Sequence, residues 1–532
     1  MHIQQKKDCM TLDTGTYDAI VIGSGIGGLT AAAILAKLKK KRVLVLEKHF
    51  EPGGLTHGFR RGRFRWNVGL HYIGRMHKGE LARAVFDFIT DGKLEWRKIR
   101  SPFERFIYPD FTFQVSENRK TFTRDLCRRF PDETAAIKKY VRDVKAGARY
   151  IQLYYLTRFL PIPLSFLISF WSRLLKKNAL QTTGYYLKKN IRNPRLAALL
   201  ATQWGVYGAP PSESAFAIHG SIVNHYMNGA FVPEHSNGKI SGLIEKVIRK
   251  AGGMVCVNCE VTEILIENNK AVGVKIRDQR TKSPKERIVH APIIISSAGA
   301  ENTYNRLCTH DHCEKKDING LELGCSAVSL YVGLKESPEK LGLHGENIWI
   351  NETYDHENLT SQTYALLKGA PHRCYVSFPS IRRNNAEHHN AEIIAMIEYA
   401  PFKKWAEQKW KRRQKEYYKL KEKIAAGLLD LVEKHLPGFT SMVEYKELSS
   451  PLTVENFTSR KNGAVYGFKP TAKYFRKHWY RVESPVKNIY LSGVDVCTVG
   501  VVGALMGGVA AASAVIGSLG FFRVIKKIRS SP

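Results

Sequence analysis

An α/β fold interrupted by a second, α+β unit is what this sequence predicts, and three observations predict it. An apolar run, Asp18–Ile22, leads into a glycine-rich turn, Gly23–Gly28, and then into an Ala- and Leu-rich helical stretch, Leu29–Lys40. A second buried-type run, Arg42–Leu46, follows at once. Two more runs of the same kind, Pro292–Ser297 and Asn488–Ser492, lie far downstream. Continuous rather than alternating apolar runs suit parallel strands covered on both faces. Together they describe a discontinuous Rossmann-type FAD/NAD(P)-binding domain with an inserted α+β substrate domain containing a mixed or antiparallel sheet. The expected partition is 1–80, 235–300 and 481–532 for the nucleotide domain, the last with a basic tail. Residues 81–234 and 301–480 would form the insert, the first of these with a membrane contact.

Each element has its own signal. Val255–Ile266 and Ala271–Arg277 alternate about Asn268-Asn269-Lys270, a hairpin pattern. In the insert, Phe106–Val115 reads as a hairpin about Pro109-Asp110. Ala327–Leu334, Asn347–Ile350, Arg373–Phe378 and Ala391–Ala400 read as further strands. Lys403–Leu436 reads as one long helix, with Leu420, Ile424, Leu428, Val432 and Leu436 every fourth residue and Pro437-Gly438 as its stop. Its basic first half reads as a solvated face.

The chain has 532 residues, 44% hydrophobic, enough for more than one core. Its net charge of +34 attracts anionic surfaces, but no nucleic-acid recognition motif accompanies it. Nine irregularly spaced cysteines fit a reducing compartment better than a disulfide framework. Neither Cys256/Cys259 nor the cluster Cys308, His310, His312 and Cys313 has the second ligand pair a zinc site needs, so no metal is expected. Residues 1–16 are polar, without the apolar core of a secretory signal, so a cytosolic-facing protein is expected.

Gly23, Gly25 and Gly28 form G-x-G-x-x-G. The first allows the tight turn, the second lets backbone approach a diphosphate, and the third lets helix and strand pack closely. The helix N-terminus then offers free amides to phosphate. Glu47 lies 19 residues past Gly28, the position of an acid that binds an unphosphorylated ribose. A second glycine turn, Pro52-Gly53-Gly54, and a strand-like Phe64–Val68 follow. A plain NAD domain does not need them, which favours FAD. No second dinucleotide motif in context is present, so the electron donor is left open.

Further matches are Val68–Met76, Ser101-Pro102-Phe103, Ser214-Ala215-Phe216, Val223–Met227, Ser450–Thr453 and Asp495–Leu505. In this order the chain resembles the retinol saturase branch of the FAD-dependent carotenoid desaturase/isomerase superfamily, over nearly its whole length. The resemblance implies FAD held by Gly23, Gly25, Gly28, Glu47 and Lys48, by Gly53 and Gly54, and by Val261, Gly493 and Asp495. It implies reduction or isomerisation of a hydrophobic conjugated polyene, a retinoid or carotenoid. His71 and Tyr72, leaving a flavin-side strand at a glycine, become the catalytic candidates for proton donation or substrate placement. His225 and Tyr226 read as structural. One departure is Asn67, where the family usually carries an acid. Two other classes share the N-terminal motif: FAD-dependent amine oxidases, and non-catalytic lipid-binding proteins of the GDI kind.

Two apolar segments bear on location. Val496–Phe522 carries no charge and could span a bilayer, but its glycines and its junction with the Asp495 strand favour a buried helix on the flavin. Phe159–Trp171 is too short to span and is flanked by Arg158, Arg173, Lys176 and Lys177, which suits a segment dipping into one leaflet. Peripheral or monotopic membrane association is therefore expected.

Overall fold

The computed structural model describes residues 17–531 apart from 161, 235–237, 282–284, 309–317, 319, 384–385, 477–481 and 518. His310, His312 and Cys313 lie outside the described residues, as do the side chains of Arg158, Arg173, Lys176 and Lys177.

Five parallel strands form the first sheet, in the order Met254–Cys256, Val43–Leu46, Ala19–Ile22, Ile294–Ser296, Ile489–Leu491. Ala19–Ile22 and Val43–Leu46 are buried at every position, as two covered faces require. The strands come from three distant parts of the chain, so the domain is discontinuous. Helix Ile26–Lys39 covers one face and is crossed closely by helix Gly500–Ile516. A Cβ on Gly508 would sit 2.3 Å from the Gly27 carbonyl oxygen, so the glycines of this helix serve close packing. The charge-free stretch Val496–Phe522 is not one span: the helix stops at Gly517 (φ 94°) and restarts as Gly520–Arg529. Among the described residues no helix is long and apolar enough to cross a membrane.

Two expected elements divide. Val255–Ile266 is broken at Asn258 (φ 55°). Met254–Cys256 joins the parallel sheet, whereas Cys259–Glu267 pairs with Lys270–Asp278 in an antiparallel sheet. Asn268 and Asn269, both at positive φ, make the two-residue turn. The long helix expected over Lys403–Leu436 begins only at Lys415 and ends at His435. Ahead of it, Ala400–Trp405 is a 3-10 turn and Lys411 has φ 64°, so the basic stretch is a loop. Four members of the four-residue repeat lie inside the true helix and the fifth, Leu436, caps it, which is why periodicity located the helix but overran its start.

The insert is built on seven strands, in the order Val443–Ser449, Ser326–Leu334, His389–Ile397, Arg373–Ser377, Asn347–Asn351, Glu104–Tyr108, Phe111–Val115. All neighbours are antiparallel except Asn347–Asn351 beside Glu104–Tyr108. The period of two splits this sheet cleanly. Val328, Ile348, Val376 and Ile393 face a core closed by helix Lys415–His435. Ser329, Trp349, Tyr375 and Ile394 face the other way, toward the nucleotide domain. The expected boundary at residue 80 falls in the turn before helix Leu81–Ile89, and that helix keeps contact with the nucleotide domain. Helix Leu81–Ile89 lies against both C-terminal helices, and Asp91 pairs with Lys37 and Lys250 of the nucleotide domain.

Candidate active site

A cavity of about 1350 Å³ runs from the glycine turn to the open face of the seven-stranded sheet. A single drug-sized ligand fills roughly 300–1,000 Å³, so this space accommodates a dinucleotide and a second molecule.

The glycine end is built by sterics. Gly23 holds φ 89°, where side chains are strained. A Cβ on Gly28 would lie 2.2 Å from the Gly23 carbonyl oxygen, so the third glycine closes the turn on itself. Gly25 differs. Its φ is −55°, and a Cβ there would find only Ser297 Oγ, at 3.9 Å. The space beside it is a cradle, at the start of a helix whose first amides have no intrahelical acceptor.

Glu47 ties three segments across this cradle. Its Oε2 accepts from Ser24 N (2.8 Å) and Ser24 Oγ (2.6 Å), and its Oε1 accepts from His49 N (2.8 Å). Ser24 Oγ accepts in turn from Gly53 N (3.0 Å), and Gly54 packs on Gly25. Lys48 Nζ donates to Ser459 Oγ and lies 3.7 Å from Glu260. Burial lowers the Lys48 ammonium. It would raise Glu260, but Arg277, Lys48 and Arg306 hold that carboxyl below its ordinary value. Val261, next along the strand, presents its side chain to the same cavity. At the far crossover Asp495 Oδ2 accepts from Ala300 N (2.8 Å), and Gly493 (φ 93°) turns the chain beside it.

These residues fit a bound dinucleotide on two independent grounds. Gly25 leaves an unfilled cradle at a helix N-terminus. The buried hydroxyls of Ser492 and Thr498, both on the cavity wall, have no hydrogen-bond partner among the described residues.

At the other end stand His71 and Tyr72, each backed by a carboxylate fully sealed from solvent. His71 Nδ1 is 2.6 Å from Glu392 Oε2, and Glu392 Oε1 accepts from Asn67 N (2.9 Å). With Nδ1 engaged, Nε2 is the ring nitrogen left for the cavity. Tyr72 Oη donates to Glu104 Oε1 (2.6 Å), which also receives Trp349 Nε1 (3.1 Å), while Oε2 receives Gln203 Nε2 (2.7 Å). Burial pushes Glu104 up to about 7 against these three bonds, and burial with the Glu104 charge holds the Tyr72 phenol well above its ordinary value. Tyr226 and Tyr375 flank Tyr72 with ring centroids at 4.7 and 6.1 Å. His225 Nε2 accepts from Gly74 N, and burial, with Arg75, depresses it to about 3, so it is a neutral structural histidine.

Sequence reasoning reached His71 and Tyr72 but not Glu104, Glu392, Glu260 or Ser24. A signal existed for Glu392: it is an acid at a buried position of a strand otherwise reading Ala391, Ile393, Ile394. Glu104 opens the strand after Ser101-Pro102-Phe103, where an acid beside a proline turn reads as surface.

A dinucleotide cleft opening onto an apolar, aromatic chamber with paired buried carboxyls defines the class: a two-domain, Rossmann-type oxidoreductase. Residues 21–89 match the NAD(P)-binding Rossmann-like domain. The chain is 32% identical to the all-trans-retinol 13,14-reductase of Danio rerio, covering 94% of this chain and 86% of that protein. It is 26% identical to a chloroplastic prolycopene isomerase of Daucus carota, over 85% of this chain and 72% of that protein. Among solved structures, cyclohexylamine oxidase of Brevibacterium oxydans shares the fold, with a TM-score of 0.61 at 13% identity over 97% of this chain and 100% of that one. This protein belongs to the all-trans-retinol 13,14-reductase family.

Proposed function

We propose that this chain binds FAD between the glycine turn and Asp495, and reduces or isomerises a conjugated polyene lipid of the retinoid or carotenoid kind. The observation that carries the proposal is the single cavity joining the Gly25 cradle to His71 and Tyr72 along a wall of aromatic and aliphatic side chains. FAD is favoured over NAD by the Pro52–Gly54 turn seated on Gly25 and by the start of helix Gly500–Ile516 on the cavity wall. The polyene is favoured by the names of the relatives, a retinol reductase and a prolycopene isomerase.

The flavin, when bound and reduced, would supply the hydride, which carries both electrons of a saturation. The chain's own part is to exclude water, align the polyene against Tyr226, Tyr375 and Trp349, and deliver or hold a proton at Tyr72 Oη or His71 Nε2.

The proposal includes peripheral or monotopic attachment to a membrane from the cytosolic side. Phe166, Leu167 and Phe170, on one face of helix Ile162–Ala179, are 67%, 57% and 57% exposed. Cys127, Cys256, Cys259, Cys308, Cys325, Cys374 and Cys497 are free thiols, which suits a reducing compartment.

The test is the absorption spectrum of purified protein, followed by anaerobic photoreduction and mixing with all-trans-retinol, a cis-lycopene or cyclohexylamine. A flavin band, and reduced flavin reoxidised by retinol or a lycopene isomerised without net reoxidation, support the reading. Absence of flavin would sink it. Reduction of the oxidised flavin by the amine would replace it with an amine oxidase.

A further inference from the structure

We propose that Glu104 is a positioning residue that decides which way the Tyr72 hydroxyl donates, and that it refills Tyr72 with a proton. The proposal rests on the polyene-reductase reading above and goes one residue deeper.

Glu104 does not line the cavity; it lies behind Tyr72, on the inner face of strand Glu104–Tyr108. Its two oxygens face three hydrogen-bond donors, Tyr72 Oη, Trp349 Nε1 and Gln203 Nε2. Trp349 Nε1 can only donate and Gln203 donates through Nε2, so in this arrangement the Tyr72 bond is the one that can reverse. With Glu104 ionised, Tyr72 must donate to it, and the phenolic hydrogen points away from the cavity. With Glu104 protonated at Oε1, the carboxyl donates to the Tyr72 oxygen, and the phenolic hydrogen is released toward the chamber. The three hydrogen bonds to the carboxyl are kept in both states.

Saturation of a C=C bond adds a hydride to one carbon and a proton to the other. In the protonated state the proton leaves Tyr72 Oη for carbon, the O–H bond of Glu104 breaks to reprotonate Tyr72, and Glu104 ends as a carboxylate. Between turnovers a proton from solvent returns to Glu104 through the Tyr72 hydroxyl, which does line the cavity. A tyrosine whose phenol is held high by burial is a weak donor alone, and the proton arriving from behind spares it a buried phenolate.

The titration is simple because few groups surround this carboxyl. Tyr72 faces it from the loop after strand Phe64–Asn67, Tyr226 from helix Phe216–Tyr226, Tyr375 from strand Arg373–Ser377. The charges nearest these tyrosines are Arg382, acting on Tyr375 and Tyr72, and Glu392, acting on Tyr375. None of the three tyrosines ionises near neutrality, since burial raises each phenol. Burial pushes Glu104 itself to about 7. The proton-delivering state therefore holds below pH 7 and is lost as pH rises through it.

The experiment is the reoxidation of photoreduced holoenzyme by all-trans-retinol across pH, in wild type, Glu104→Gln and Gln203→Leu. Wild type should lose rate about tenfold per pH unit above 7. In Glu104→Gln the amide oxygen accepts from Trp349 and Tyr72, and no acid stands behind Tyr72 to refill it. That limb should vanish at a lower, flat rate, with flavin content and KM unchanged. Gln203→Leu removes a bond that favours the carboxylate, so the limb should move to higher pH, a shift a merely structural role would not give. Independently of activity, infrared difference spectra of the purified protein should show a protonated-carboxyl band titrating near 7 that is absent in Glu104→Gln. Loss of flavin or of retinol reactivity in wild type would remove the reductase reading itself. An unchanged pH limb in Glu104→Gln, an unmoved limb in Gln203→Leu, or no such band would overturn the Glu104 proposal alone.

Discussion

Glu392 Oε2 lies 2.6 Å from His71 Nδ1, although 321 residues separate them, and Glu392 is completely buried. The carboxylate accepts on both oxygens, from Asn67 N as well as His71. It therefore fixes the backbone entering the His71–Tyr72 loop and the tautomer of the ring at once. Glu392→Gln can keep the Asn67 bond through its amide oxygen, but its NH2 must then donate to Nδ1. The ring should switch to the Nε2–H tautomer, visible in ¹⁵N spectra of labelled histidine, and turnover should fall about 100-fold if His71 takes part in proton transfer. Full activity with a switched tautomer would leave His71 as a substrate contact only.

The glycines of the turn separate folding from binding. Gly28→Ala places a methyl 2.2 Å from the Gly23 carbonyl oxygen, so the cofactor-free protein should lose about 1–3 kcal/mol or more. Gly25→Ala adds its methyl to open space at an ordinary φ of −55°. Its stability should change by less than about 1 kcal/mol while flavin retention collapses. Denaturation midpoints of stripped protein, read beside flavin content, check both. Flavin bound normally by Gly25→Ala would mean that the diphosphate lies elsewhere.

Glu47 ties Ser24 to His49 beside the same cradle, so its variants test folding and binding together. Glu47→Ala strips acceptors from Ser24 N and His49 N and should cost about 1–3 kcal/mol of stability. Glu47→Gln keeps one acceptor and loses the charge, so it should weaken FAD binding about tenfold with a smaller stability loss. Equal flavin affinity in wild type and Glu47→Gln, by titration of stripped protein, would remove the ribose assignment.

The sequence was most readable where chemistry and local structure coincide. The strand, the three glycines and Glu47 sit within one βαβ unit, so spacing alone places them. Tyr72 and His71 were reachable because a glycine-flanked aromatic pair at a strand end is a local pattern. Glu104 and Glu392 were not, because their roles arise only when two strands of the distant sheet close over the loop. The helix start at Lys415 was missed because Lys403–Arg413 has helix-compatible composition, and nothing local reveals that Lys411 adopts φ 64°. Val255–Ile266 was read as one strand because alternation continues through Asn258, whose positive φ is what moves the chain from one sheet to another.

The exposed face of helix Ile162–Ala179 gives the last prediction. Phe166, Leu167 and Phe170 lie at i, i+1 and i+4, one helical face, and such a patch is costly in water. Inserting each side chain into the acyl region contributes roughly 1.5–3 kcal/mol, so Phe166→Asp with Phe170→Asp should weaken vesicle binding by at least about 100-fold. Both positions are exposed, so folding and flavin content should be unchanged. The basic C-terminal helix, with Arg523, Lys526, Lys527 and Arg529, adds an attraction to anionic lipid that salt screens. Raising salt should therefore release the double variant from phosphatidylserine vesicles while leaving wild type partly bound. Polyene turnover should fall with substrate embedded in vesicles and persist with substrate in detergent. Co-sedimentation of the double variant equal to wild type at high salt would show that this face does not meet lipid.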